Sequence, residues 1–319
     1  MLKQKLIDIF TTSSLILMLA QNHITKEYSR MGMDIWINNV LPSLFPYILI
    51  INIIMYLDAF NTLNNILYPI IGRVFSVSKN ACFCIICGFL CGYPIGIKTI
   101  NDMLEKKLIC KEEANYLSVF CNNISPAFYI NFIVNSNINC GNRLILEYNS
   151  RFLLILLILL PYISSFFCSF IYRTTHKQQF VYIITLCKQT NIPRKYDDKQ
   201  FFNKCILNSF LSLLYIGGYI IIFSIIAGFL QKIIINKNIL RIVTSFLEIS
   251  NGSYSFRNAS IEACVLLLVP LACFGGISAL FQSIQLMNCR ELKMSLYIKY
   301  RLINLLIAGA LAFILLHVF

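Results

Sequence analysis

The sequence predicts an all-α polytopic membrane protein with about eight hydrophobic helical elements, some of them broken, and an internal two-fold repeat. Three observations carry that expectation. The 319 residues are 58% hydrophobic and 13% charged, roughly half the charged share of an ordinary soluble domain, and the mean hydropathy is +0.71. The net charge of +13 lies in short loops between apolar runs, without a basic patch interleaved with aromatics. It reads as a topology signal and argues against nucleic acid as a partner. Finally, Gly, Pro and Asn clusters interrupt the apolar runs. Lipid offers no partner for unpaired backbone groups, so such breaks require other helices, water or a ligand, and they point to a transport site.

In order, the chain divides at 1–34, 35–134, 135–204, 205–287 and 288–319. Leu6 to Ala20 is a short apolar run interrupted by Asp8 and followed by no small-residue cleavage site, so it reads as a weak first span or an interfacial helix. After a polar loop with Lys26 and Arg30, Ile35 to Leu57 has the length of a span. Pro42 and Pro46 would kink it, and Trp36 near its start suits an interfacial anchor. Asp58 to Asn80 reads as an amphipathic connector, Ala81 to Ile100 as the first broken span, and the charged Asn101 to Asn115 as the tip of a helical hairpin in water. Tyr116 to Val134 continues it with a second break. A polar loop from Asn135 to Arg151 precedes the charge-free run Phe152 to Tyr172, expected as a lipid-facing scaffold span.

The loop from Arg173 to Lys204 carries seven basic residues and is the segment best assigned to the cytoplasm. Within it, Phe180 to Cys187 suits the membrane surface or a structural contact. The second half then reuses the order of the first: a long span (Cys205 to Leu230), an amphipathic connector (Gln231 to Ala259) and a span broken by glycines (Ser260 to Met287). A basic loop, Arg290 to Arg301, leads to a last span, Leu302 to Val318. Alternation from the 173–204 loop puts 101–115 and 288–301 on the same side. It also puts Lys3 and Lys5 outside, against the positive-inside rule. Either the first segment does not cross, then, or one broken element is re-entrant.

The chemistry is concentrated at the breaks. Helices restarting at Pro94, Pro126 and about Ile277 would aim free amides and the positive end of the dipole at the interior, where each contributes about 0.3 to 1 kcal/mol toward an anion. Around them stand Gly92, Tyr93, Asn122, Asn123, Ser125, Gly275, Gly276, Ser278 and Gln282, the last two sharing a helical face. The competing reading of these polar side chains is glue between helices. Lys98 suits either neutralisation of an anion or the membrane boundary. Glu248 and Glu262 are candidate coupling carboxylates, with an interfacial position favoured for Glu262. The thirteen cysteines lie mostly in apolar runs and read as packing residues. Cys82, Cys84, Cys87 and Cys91 lack the paired spacing of a zinc site. No catalytic motif is present, so neither an enzyme nor a cofactor is expected.

Several stretches resemble the sporulation integral membrane proteins of the YlbJ type, within the nucleoside-recognition or Gate-domain group related to concentrative nucleoside transporters. They are Pro42 to Pro46 (Pro-Ser-Leu-Phe-Pro), Gly88 to Lys98 (Gly-Phe-Leu-Cys-Gly-Tyr-Pro-Ile-Gly-Ile-Lys), Glu113-Ala114, Asn122 to Phe128, Phe246 to Gly252, and Phe274 to Ser278 with Gln282. The resemblance implies a role in endospore formation, in the mother-cell-derived membrane around the forespore, in export of dipicolinic acid toward the forespore. That solute is a small aromatic dicarboxylate, suited to helix-start amides with Tyr93 stacking on its ring. A nucleoside or other solute, or a non-transporting assembly role, stand as alternatives. The partners expected are the bilayer, the small anion, and a second copy or other sporulation membrane proteins.

Overall fold

The computed structural model describes residues 2–138, 151–177, 180, 200–287 and 291–318. Most of the 135–151 loop and of the 173–204 loop, with its apolar stretch after Phe180, lies outside the described residues. The elements are α1 (Leu2–Ala20), α2 (Asn22–Ile35), a π-helical stretch Trp36–Val40, α3 (Leu41–Tyr56), α4 (Phe60–Phe75), α5 (Lys79–Cys91), α6 (Ile95–Glu105), α7 (Lys111–Phe120), α8 (Pro126–Phe128) continuing as a π-helix Tyr129–Ile138, and α9 (Arg151–Thr175). After these come α10 (Phe201–Ile233), α11 (Lys237–Leu247), α12 (Ile249–Ser255), α13 (Ile261–Ala263) with a π-helix Cys264–Leu268, α14 (Val269–Phe274), α15 (Gly276–Gln285) and α16 (Met294–Val318). Among the described residues five helical stretches are long and apolar enough to cross a membrane, six if the pair α4 and α5, bent by 87°, is one span. No strand occurs among the described residues. The chain is an all-α, multi-pass integral membrane protein.

The first span is longer than its hydropathy indicates. Asn22 to Tyr56 runs as one helical stretch of 35 residues, so the expected polar loop with Lys26 and Arg30 is helical. The cause is packing against α10 through small-residue notches. A Cβ added at Gly228 would meet the Tyr28 ring at 2.4 Å, one at Gly32 would meet the Ile221 Cα at 2.9 Å, and one at Gly217 would meet the Trp36 indole at 2.5 Å. Trp36 is therefore packed into the Gly217 notch of α10.

Pro42 does not break this stretch. A helical proline deprives the carbonyl four residues earlier of its partner and crowds it; here that residue, Asn38, lies inside the π-helical turn Trp36–Val40, which widens to absorb the mismatch. The same arrangement recurs at Pro270, where the π-helix Cys264–Leu268 contains Leu266.

The expected broken span Ala81 to Ile100 is broken at Gly92-Tyr93-Pro94. α5 and α6 fold back on one another: the Asn80 side-chain amide at the start of α5 donates to the Leu108 carbonyl beyond α6 at 3.0 Å, and Gly88 and Gly96 both face the Cys121 carbonyl. The result is a helical hairpin with its tip at Gly92-Tyr93-Pro94. Asp58 to Asn80 leads into it as the amphipathic α4, ending at Ser76 in the left-handed conformation.

The second half contains the same device where an amphipathic connector was expected. α11 and α12 form a hairpin with Glu248 at its tip. A Cβ at Gly252 would lie 2.2 Å from the Ser245 Cα, and the Arg241 Nε donates to the Ser255 carbonyl at 2.9 Å. Two interrupted spans follow the two hairpins. α7 and α8 are separated at 121–125, and α7 and the π-helix after α8 lie along α9; α14 and α15 are separated at Gly275, with α14 and the π-helix before it along α16 and α15 packed on α10 and α11. Another correction concerns the last loop: α16 begins at Met294, so Arg301 stands two turns inside a helix and is only 3% exposed.

Two buried clusters hold this together, one around α5 to α7 and the other joining the second interrupted span to α9 and α16. Among the described residues nine thiols, including Cys82, Cys84, Cys87 and Cys91, are buried and free. Cys110, ahead of α7, is instead disulfide-bonded.

Candidate functional site

The two hairpin tips and the two interruptions close on one cavity of about 50 Å³. Tyr93 comes from the first tip, Ser125 from the first interruption, Glu248 and Ser250 from the second tip, and Gly275, Ala279 and Gln282 from the second interruption. α3 and α10 complete the wall with Ser43, Leu44, Ile216 and Ile220.

Each tip sits on an interruption through close backbone approach. The Tyr93 N–H donates to the Asn123 carbonyl at 2.6 Å. Gly92 has φ +76, and a Cβ there would meet the Ser125 nitrogen at 2.5 Å, so glycine is required for both conformation and space. On the other side Gly275 and Gly276 have φ +91 and +79. A Cβ on Gly276 would come within 3.1 Å of the Leu247 carbonyl, and Phe246 stacks on Phe274 at 5.0 Å.

Arg301 joins the two interruptions. Its Nε donates to the Phe274 carbonyl at 3.1 Å and its Nη1 to the Asn122 carbonyl at 2.6 Å, while Nη2 reaches the carbonyls of Cys273 and Phe274. These carbonyls flank the breaks, and those of α14 lie at the negative end of its dipole, where a cation is stabilised. Arg301 has no acidic partner within ion-pair distance among the described residues. Its guanidinium carbon lies 5.8 Å from the centre of the Tyr93 ring, which places a fixed positive charge behind the cavity wall.

The expected helix-start amides are partly used by the protein itself. The Ile97 N–H of α6 donates to the Asn122 side-chain oxygen at 3.3 Å, and the Phe128 N–H of α8 donates to the Ser125 hydroxyl at 3.3 Å. At the second tip Glu248 caps α12, accepting from the N–H groups of Ser250 and Asn251 at 3.0 and 2.7 Å. The start of α15 carries no side-chain cap.

Of the residues singled out from sequence, Tyr93, Ser125, Glu248, Gly275 and Gln282 line the cavity together. Gly92, Pro94, Pro126 and Gly276 shape the turns that deliver them. Ser278 accepts from the Gln282 amide at 3.0 Å and so orients it. The other polar residues bind helices to each other. Asn122 donates to the hydroxyls of Ser283 and Tyr297 at 2.8 and 2.7 Å, and Asn123 donates to the Pro161 carbonyl and the Ser165 hydroxyl, each at 2.8 Å. Lys98 lies elsewhere, bonded to Asn52 at 2.8 Å, and Glu262 is exposed.

The Tyr93 hydroxyl, buried at the cavity, has no hydrogen-bond partner among the described residues. A buried hydroxyl without a partner costs about 1 to 3 kcal/mol, and a solute in the cavity would supply one. Sequence reasoning missed Arg301, which it assigned to the rim of a basic loop. The available signal was an arginine followed only by apolar residues, Asn304 and small residues up to His317, a pattern that marks an intramembrane charge.

No family model matches the chain, and no solved structure matches it. Among curated proteins it is similar to the sporulation integral membrane protein YlbJ of Bacillus subtilis (strain 168), with 26% identity over 102 residues. The matched stretch is 32% of this chain and 25% of that protein. This likeness agrees with the family resemblance of the motifs and with a multi-pass membrane protein, and it extends over a minority of both chains.

Proposed function

We propose that the protein is a sporulation membrane transporter for a small anionic metabolite, dipicolinic acid, moved from the mother cell toward the forespore across the outer forespore membrane. One observation supports the transport reading: two hairpin tips and two interrupted spans meet at one cavity, the arrangement by which helical transporters hold a solute at membrane depth. Arg301 behind the wall and the uncapped start of α15 support an anion. The sporulation context rests on the motif resemblance and on the name of the Bacillus relative. A cavity of about 50 Å³ has room for a few waters, so a solute of this size enters only when a tip withdraws from its interruption.

Dipicolinate uptake into proteoliposomes tests this. Saturable uptake, with the half-saturating concentration raised about two- to tenfold in Tyr93→Phe by the loss of one hydrogen bond, supports it. Absence of uptake by folded protein, with or without a proton or sodium gradient, would favour a non-transporting assembly role. A second reading, a neutral polar solute such as a nucleoside, draws on one observation: the Glu248 carboxylate lines the same cavity and opposes a dianion. Competition by nucleosides in the same assay separates the two.

A further inference from the structure

A second, larger cavity of about 440 Å³ is lined by Asn52, Lys98, Asp102, Lys106, Lys204 and Tyr215, among others. It lies directly beyond the central cavity along four separate elements. On α3 the central cavity takes Ser43 and Leu44, and the larger one Asn52, Met55 and Tyr56. On α10 the order is Ile220 and Ile216, then Tyr215, Ser212 and Asn208; on α15 it is Ala279 and Gln282, then Leu286. The first hairpin gives Tyr93 and then Lys98, Asp102 and Glu105. Four helices stepping in the same direction define one axis. At 1.5 Å per residue, the step from Leu44 to Asn52 is roughly 12 Å and that from Gln282 to Leu286 roughly 6 Å.

The boundary between the two cavities is polar and built. Asn52, 9% exposed, accepts from the Lys98 ammonium at 2.8 Å and donates to the Ser209 hydroxyl at 2.8 Å, and Lys98 also faces Asp102 at 3.4 Å. This chain of bonds ties the first hairpin to α3 and α10. Ile48, 1% exposed, stands one turn before Asn52 on α3, toward the central cavity. Around the larger cavity three lysines, Lys98, Lys106 and Lys204, face two carboxylates, Asp102 and Glu105, leaving an excess of one positive charge.

We infer that the larger cavity is an access vestibule, a binding site for small organic carboxylates on the side where α10 begins, and that Lys98 with Asn52 forms its inner wall. The inference rests on the transport reading for its place in a path, but binding in the vestibule stands apart from transport. An anion bound at Lys98 in place of Asn52 releases the first hairpin from α3, and through Asn52 from Ser209 of α10, at the moment its tip must move.

The test measures binding of dipicolinate to the full chain in lipid nanodiscs by calorimetry, beside uptake into proteoliposomes, for wild type, Lys98→Met, Lys98→Arg and Tyr93→Phe. Loss of a charged hydrogen bond weakens binding about tenfold or more. Lys98→Met is therefore expected to raise both the dissociation constant and the half-saturating concentration about tenfold, with Lys98→Arg restoring most of the difference. Tyr93→Phe is expected to leave vestibule binding within about twofold while impairing uptake. Binding that is equal in wild type and Lys98→Met overturns the inference, as does binding lost equally in the Met and Arg variants. If wild type binds dipicolinate through Lys98 but transports none, the transport reading fails and the vestibule stands. If it binds none, the vestibule fails whatever the uptake shows.

Discussion

Replacing Arg301 with lysine retains the charge and removes the fork. The guanidinium makes four contacts to three carbonyls, those of Cys273, Phe274 and Asn122, on two different interruptions. An ammonium is a point donor that cannot span both breaks in the same geometry, so at least two contacts are lost. Because Phe274 takes two of the four contacts, one or two of the three carbonyls are left unsatisfied, each at about 1 to 3 kcal/mol, a loss of about 1 to 6 kcal/mol. For a chain of this size about 1 kcal/mol moves the melting temperature by roughly 2 to 4 °C. The expected drop is on the order of 2 to 20 °C, read by fluorescence-detected size exclusion after heating in detergent. Arg301→Met, which also removes the charge facing the dipole of α14, should fall further. A lysine variant that melts within about 2 °C of wild type would refute the account of Arg301 as the tie between the two interruptions.

Three further outcomes follow from the same geometry. A Cβ at Gly88 would stand 1.7 Å from the Cys121 carbonyl, whereas at Gly218 nothing lies within 4 Å. Gly88→Ala should therefore destabilise by about 1 to 3 kcal/mol or more, while Gly218→Ala, inside α10, should stabilise by about 0.5 to 1 kcal/mol; thermal melts of the two variants decide it. Asn123→Ala should lower stability by about 1 to 3 kcal/mol without altering the solute dependence of uptake in protein that remains folded, because its amide faces α9; a changed half-saturation at unchanged stability would put Asn123 in the site. Glu248→Gln removes a negative charge from the cavity wall, so the half-saturating concentration for a dianion should fall, while that for a neutral nucleoside should not; a rise for both would identify Glu248 as a solute contact.

The polypeptide's local signals are legible in proportion to how local their cause is. Gly92, Gly275 and Gly276 announce breaks because positive φ and close backbone approach exclude other residues, and those breaks are where the cavity lies. Tyr93, Ser125 and Gln282 were found by proximity to them. Asn122 and Asn123, singled out on the same grounds, turn their side chains to α15, α16 and α9, and no sequence rule distinguishes an amide facing a cavity from one facing a neighbouring helix. Hydropathy has a similar limit. The run from Ala81 to Ile100 is equally apolar whether it crosses or folds back, because lipid and protein interior reward the same side chains.

By itself, then, the sequence determined that the chain is helical and embedded in the bilayer, since the apolar runs cannot be accommodated in water, and where its spans are interrupted. Tertiary structure decided the rest. The Asn80 to Leu108 bond and the contact of Gly252 with Ser245 fold two segments back into hairpins, and the early start of α16 carries Arg301 inward from the expected loop. The guanidinium depends on partners far apart in the chain, the carbonyls of Asn122 and Phe274, and a backbone group's need for a partner does not specify which distant residue will meet it.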